Sequence, residues 1–269
     1  YLIGLILSFC NIADEHDFSF EGHPANTSEQ HLLTLFNLGF KRVSFGVQDF
    51  DGKVQDTINR YQSIEQVYSV INTARKIGYT SVNIDLVYGL PYQSRITVEQ
   101  TVKEIILLKP ERIAFYSYAH VPWLRPGQRK YSEKDLPHDK VKRELYHTGR
   151  DLLLNAGYDD IGMDHFSLKN DALYKAYQNN DRHRNFMGYT ASHTRLLIGL
   201  GCSAISDSWN AFSQNIKTVE EYQQIVNSGK FPIYKGHILN DEDVRVREHI
   251  LNIMCRLKTN FYSCTIDDI

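Results

Sequence analysis

Cysteine is scarce in this chain. Its four thiols, Cys10, Cys202, Cys255 and Cys264, include no C-x-x-C pair. A disulfide frame is therefore excluded, and the cysteines read as free thiols of a reducing cytoplasm. Excess charge is missing as well: 30 Lys+Arg against 32 Asp+Glu leave a net charge of −2. That balance excludes the basic face required by a general nucleic-acid partner. No apolar run reaches the length of a membrane span, so no membrane partner is predicted, and YLIGLILSF at the start lacks the basic flank and cleavage pattern of a signal peptide. An initiator Met is absent and the chain opens inside an apolar, helix-like run; we expect a piece of a longer protein. What remains is 42% hydrophobic content over 269 residues, enough for one large domain or one and a half smaller ones.

One pattern recurs. LLTLFNLGFKRVSFGVQ (32–48), VINTARKIGYTSVNIDLV (70–87) and LLLNAGYDDIGMDHF (152–166) each run from a helix through a Gly and an aromatic residue into a strand. The Gly supplies the left-handed residue that closes the helix. In TVEQTVKEIILLKPERIAFYSYA (97–119), Pro110 stops the helix instead. Thr27 with Gln30, and Ser63 with Gln66, have the spacing of capping boxes. Alternation of this kind predicts a parallel α/β sheet with covered faces, either open and doubly wound or a closed or partial barrel.

The strand faces favour the barrel. Phe18 and Phe20 oppose Ser19 and Glu21; Val43, Phe45 and Val47 oppose Ser44, Gly46 and Gln48; Val82, Ile84 and Leu86 oppose Ser81, Asn83 and Asp85. The polar side is small and mostly uncharged, which suits a lumen better than bulk solvent. Glu21, Gln48, Asp85, Ala119-His120 and Asp164-His165 then stand at the carboxyl ends of successive strands, the edge where parallel α/β folds bind ligands. Any one of them reads equally well as a turn cap; five in succession predict a shared pocket.

Other features weigh less. Gly199-Leu200-Gly201 with Ala204 imitates a dinucleotide fingerprint without its acidic ribose ligand, so backbone packing is the expectation. His120, Asp164, His165 and His183 lack metal-ligand spacing and read as hydrogen-bonded side chains. DRHRNF (181–186) gathers Arg182, His183 and Arg184 in a loop, either solvated or a clamp for carboxylates and phosphates.

Six motifs in one order carry a resemblance: S-F-G-V-Q-D-F (44–50), N-I-D-L-V-Y-G-L-P (83–91), Y-A-H-V-P (118–122), G-M-D-H-F (162–166), H-R-N-F-M-G-Y-T (183–190) and G-L-G-C-S-A-I-S (199–206). Together they resemble the oxygen-independent coproporphyrinogen III oxidases, radical S-adenosylmethionine enzymes of heme biosynthesis. V-Q-D-F and G-M-D-H-F look like the oxidase rather than its heme-chaperone relatives.

The resemblance implies a partial (β/α) barrel over residues 1–234 and, from 235 to 269, the start of a helical C-terminal domain. It assigns S-adenosylmethionine contacts to Glu21, Gln48, Arg60, Asp85, Ala119 and Ile205. It also implies oxidative decarboxylation of coproporphyrinogen III to protoporphyrinogen IX through a deoxyadenosyl radical, with an electron donor as partner. The family's cluster motif, C-x-x-x-C-x-x-C, does not occur here. The 4Fe-4S ligands are accordingly expected outside the chain, which alone should be inactive. Met187 stands where members of the family often carry Gln. For the substrate, with its four propionates, Arg184 and Met187 are the candidate contacts, with Arg182 second. Two other readings are a heme-binding chaperone of the same fold and a metal-dependent barrel hydrolase using His120, Asp164 and His165.

Overall fold

A computed structural model describes residues 1–14 and 16–260. The chain divides into two compact units, Tyr1–Asp171 and Ala172–Ile269. The division expected between 234 and 235 falls inside a strand of the second unit, Ile233–Ile238.

The first unit opens with a short helix (α1, Leu2–Phe9) and is built on one six-stranded sheet. Four strands run parallel in sequence order: β1 (Phe18–Gly22), β2 (Phe40–Gln48), β3 (Ser81–Tyr88) and β4 (Arg112–Ser117). The connecting helices are α2 (Glu29–Asn37), α3 (Gly52–Ile58), α4 (Ile64–Ile77) and α5 (Arg95–Leu108), and α6 (Asp139–Asn155) follows β4. The helices form where the sequence punctuates them. Ser63 opens α4, accepting from Gln66 N at 3.2 Å while Gln66 Oε1 accepts from Ser63 N at 2.9 Å. Gly39, Gly78 and Gly157, all at positive φ, follow α2, α4 and α6. The box expected at Thr27 lies one residue later: Ser28 is the cap of α2, and His31 Nδ1 replaces the Gln30 amide as the reciprocal acceptor.

One face of the sheet is the core. Phe45, Val82, Ile84, Leu86 and Ile113 pack with Leu32, Ile71, Val102 and Ile105 of the helices, all fully or almost fully buried. With helices packed on this face, the parallel strands make the wall of a partial (β/α) barrel, as expected. The parallel run does not continue to the fifth strand. Residues 159–167 form a hairpin, β5 (Asp159–Gly162) and β6 (His165–Ser167), and β6 pairs antiparallel with β4. Met163 and Asp164 turn it with φ of 50° and 62°, left-handed values that Asp tolerates but Met does not announce.

The second unit contains α7 (Ala172–Gln178), the hairpin β7 (His183–Asn185) and β8 (Gly188–Thr190), and a sheet in the order β11-β10-β9. Its strands are β9 (Ile205–Asp207), β10 (Ala211–Asn215) and β11 (Ile233–Ile238), with α8 (Val219–Asn227) between the last two and α9 (Asp241–Arg256) after them. Gly199 takes the packing role expected of it: a Cβ there would lie 2.6 Å from Ile205 O. Among the described residues no helix is long and apolar enough to cross a membrane.

Candidate functional site

The register sets the site. Glu21, Ser44, Asn83 and Arg112 lie side by side across β1 to β4, and one step further along the same face Gly46, Asp85 and Ala114 are neighbours. Asp85 therefore sits inside its strand, not at its end as the sequence suggested; β3 continues to Tyr88. Its two neighbours, Gly46 and Ala114, are the smallest on the face, so the adjacent strands add little side-chain bulk beside the carboxylate.

Asp85 is held by the row below. Asn83 Nδ2 donates to its Oδ1 at 2.8 Å, and Ser44 Oγ donates to Oδ2 at 3.3 Å while accepting from Asn83 Nδ2 at 2.7 Å. Burial pushes the Asp85 carboxyl up to about 6, and the Glu21 charge adds to the rise; the Asn83 and Ser44 hydrogen bonds and Arg60 oppose it. The group is thus an acceptor short of positive charge.

Gly46 explains how the cation and the amide approach. A Cβ on Gly46 would stand 2.7 Å from Gln48 Nε2 and 2.8 Å from Arg60 Nη2, so both side-chain ends occupy the room its missing side chain leaves. Arg60 Nη2 donates to Gly46 O at 2.5 Å, and its Nε is buried without a partner among the described residues. Gln48 is itself contorted. Its φ is 71°, Asp49 N donates to Val47 O at 3.0 Å, and the register against β3 slips between Gly46 and Gln48. This is a γ-turn in its left-handed form laid over a bulge, strain of about 1–3 kcal/mol for a residue other than Gly.

Five of the six candidate cofactor residues lie in the first unit. Gln48 and Arg60 meet over Gly46, Asp85 is beside Gly46, and exposed Glu21 is near enough to shift Asp85. Exposed Ala119 is two residues beyond β4, its carbonyl accepting from Gln128 Nε2 at 3.2 Å. Ile205 opens β9 of the second unit. Sequence reasoning overlooked Ser44 and Asn83 as the partners of Asp85 and Gly46 as the vacancy; their alternation on one face was the available signal.

The basic segment 181–186 proves to be strand, not loop, from His183 to Asn185. Arg182 is no surface clamp. It is 1% exposed, lies against the rings of Tyr177 and Tyr189, and donates from Nη2 to Met254 O at 2.9 Å and Cys255 O at 2.8 Å. A guanidinium on the last carbonyls of α9 is a helix C-terminal cap. Arg184 packs on the Tyr189 ring and lines a cleft of about 700 Å³ with Phe186, Phe212, Val246 and Met254. Its Nη1 is buried without a partner among the described residues. Met187 is 83% exposed at the tip of the β7–β8 hairpin. His120, Asp164 and His165 gain no metal reading, since no group of three possible ligands occurs among the described residues.

The radical SAM superfamily model matches residues 4–105. The oxygen-independent coproporphyrinogen III oxidase of Helicobacter pylori is 38% identical over 253 residues, covering 94% of this chain and 55% of the relative. The Escherichia coli enzyme of that name is 38% identical over 245 residues, covering 91% of this chain and 54% of its own length. A solved structure of coproporphyrinogen III oxidase from Escherichia coli, described as a radical SAM enzyme, superposes with a TM-score of 0.93 at 35% identity, over 97% of this chain and 60% of that one. The chain spans about half the length of the curated relatives it matches.

Proposed function

We propose, for a chain whose residues 4–105 match the radical SAM superfamily model and that is similar along its length to oxygen-independent coproporphyrinogen III oxidases, that the polar face of its first unit holds S-adenosylmethionine. The whole protein is then an oxidoreductase of heme biosynthesis, cytoplasmic, that converts coproporphyrinogen III to protoporphyrinogen IX with an electron donor as partner. The observation that carries this reading is the meeting of Gln48, Arg60 and Asp85 around Gly46.

The donor set fits the cofactor. The unpartnered Arg60 Nε offers a guanidinium edge to a carboxylate. Glu21 and Asp85 supply acceptors for ribose hydroxyls or an ammonium group, and Gln48 supplies both a donor and an acceptor. Ala119 and Ile205, as apolar contacts to adenine or thioether, rest on the family resemblance alone. When bound, S-adenosylmethionine supplies the one-electron chemistry that removes hydrogen from a propionate side chain. This chain's share is to bind and orient it against a desolvated carboxylate and to keep water away.

The described thiols do not fit an iron–sulfur cluster. Cys10 follows α1, Cys202 precedes β9 and Cys255 is buried in α9; Cys264 lies outside the described residues. The 4Fe-4S cluster is therefore assigned to the whole protein and not to these residues. Residues 235–238 belong to β11, so the start of a helical C-terminal domain is assigned to α9.

For the substrate, the cleft beside half-buried Arg184 has apolar walls suited to a tetrapyrrole; Asp207, Glu242 and Asp243 also line it, so propionates are assigned to its Arg184 side. The test is anaerobic turnover by the whole protein with S-adenosylmethionine and a reductant. Two molecules of carbon dioxide released per coproporphyrinogen III support the reading; cofactor cleavage with no decarboxylation refutes it. Arg184→Ala and Arg184→Lys should both raise KM by roughly tenfold, because an ammonium cannot reproduce a guanidinium fork. Unchanged KM with a lowered melting temperature makes Arg184 structural.

A further inference from the structure

Beneath Gln48 lies a set of buried polar side chains that the proposed chemistry does not use. Asp49, Gln55, Gln62 and Gln93 are each less than 10% exposed. Gln62 Nε2 donates to Val47 O, and Gln55 Nε2 donates to Asp49 O at 2.9 Å. The carbonyls on both sides of Gln48 are therefore each gripped by a glutamine amide. Gln93 Nε2 donates to Asp49 Oδ2 at 2.6 Å and to Val87 O at 2.8 Å, while its Oε1 accepts from Leu90 N at 2.9 Å. Asp49 Oδ1 accepts from Asp51 N at 2.6 Å. Of these side-chain atoms only Gln62 Oε1 lacks a partner among the described residues.

The same set reaches Arg60. Gln55 Nε2 also donates to Gln62 O at 2.9 Å, Gln55 Oε1 accepts from Gln62 N at 3.3 Å, and Arg60 N donates to Gln55 O at 3.0 Å. The short segment carrying Arg60 is thus folded back on the residue that grips Asp49. Apolar side chains would fill this space at lower desolvation cost. What they cannot do is fix two carbonyl directions around a residue held at positive φ.

We propose that Gln93 is a positioning residue for cofactor binding: through Asp49 it ties the end of β3 to the strained turn at Gln48, so that the Gln48 amide and the Arg60 guanidinium arrive together over Gly46. This rests on the reading of Gln48 as an S-adenosylmethionine contact. A set built merely to fill the core would have no reason to terminate on both flanks of one contorted residue.

The test is a double-mutant cycle in the whole protein, reading the equilibrium affinity for S-adenosylmethionine together with the melting temperature. Gln48→Ala alone examines the parent reading: an unchanged Kd sinks that reading, and the proposal with it. Given a weakened Kd for Gln48→Ala, Gln93→Leu should weaken binding about five- to tenfold in the wild-type background and much less in the Gln48→Ala background. Equal losses in both backgrounds, or no loss in either, overturn the positioning role while leaving the Gln48 contact standing.

Gln93→Glu keeps the length of the side chain and covers the case in which Gln93→Leu does not fold. Burial raises the Asp49 carboxyl to about 6, so at pH 6 it can share a proton with the new Glu and keep the hydrogen bond, whereas at pH 8 two carboxylates face each other. Its affinity for S-adenosylmethionine should therefore fall from pH 6 to pH 8 relative to wild type. A ratio to wild type that stays constant across that range refutes the proposal.

Discussion

Asp85→Asn should make this chain more stable at neutral pH. In the folded chain the Asp85 carboxyl is raised from 3.8 to about 6, chiefly by burial, with Glu21 adding to it. A carboxylate raised in the folded state carries its cost wherever it is ionised. That cost is absent below the unfolded value, grows as pH rises from about 4 to 6, and is complete above 6. The rise corresponds to about 3 kcal/mol, net of the opposing pull of Arg60 and the two hydrogen bonds.

Asn removes the charge without stranding a partner. Its Oδ1 keeps the Asn83 donor, and its Nδ2 donates to Ser44 Oγ, whose hydroxyl has a second lone pair and is free to turn. The expected gain at pH 7.5 is about 1–3 kcal/mol, at about 2–4 °C per kcal/mol for a chain of this size. Melting curves of both proteins between pH 4.5 and 8 provide the assay. The gain should shrink steadily as the pH is lowered through 6. A variant that melts lower than wild type at pH 7.5, or a gain of equal size at both ends, refutes the reasoning. In the whole protein the ranking should reverse for the ligand, with S-adenosylmethionine affinity down about ten- to a hundredfold, the worth of a charged hydrogen bond.

Gly46→Ala should leave stability within about 1 kcal/mol, because the new methyl meets only the flexible ends of Gln48 and Arg60. It should nevertheless weaken S-adenosylmethionine binding by the whole protein, and a wild-type Kd would remove both side chains from the site. Asp171→Ala should cost about 3–5 kcal/mol in chemical denaturation, since it strands Arg112 Nε, now 2.6 Å from Asp171 Oδ1, and the Ser81 hydroxyl in buried surroundings. A loss below about 1 kcal/mol would mean that water reaches the pair.

Local sequence patterns set which faces of β1 to β3 are apolar, where most helices begin and end, and that the opposite strand face is polar. Each of these is local: the period of two in Ser81-Val82-Asn83-Ile84-Asp85-Leu86, the Gly after α2, α4 and α6, and the Ser63–Gln66 box all act over a few residues. The ordered motifs carried the resemblance to the oxidases in the same way. Only tertiary structure decided the rest. The hairpin at 159–167 rests on Met163 and Asp164 in left-handed conformations, a pairing that Met does not announce, so β6 turned antiparallel to β4 against the apparent repeat. Arg182 looked like part of a surface clamp until α9, some 70 residues later, placed its terminal carbonyls on the guanidinium. The Gly46 vacancy gained its meaning from Arg60, 14 residues on, and from Asp85 on the neighbouring strand. A strand's period is written in consecutive residues, whereas the side chains that share one empty volume are chosen by how distant segments pack.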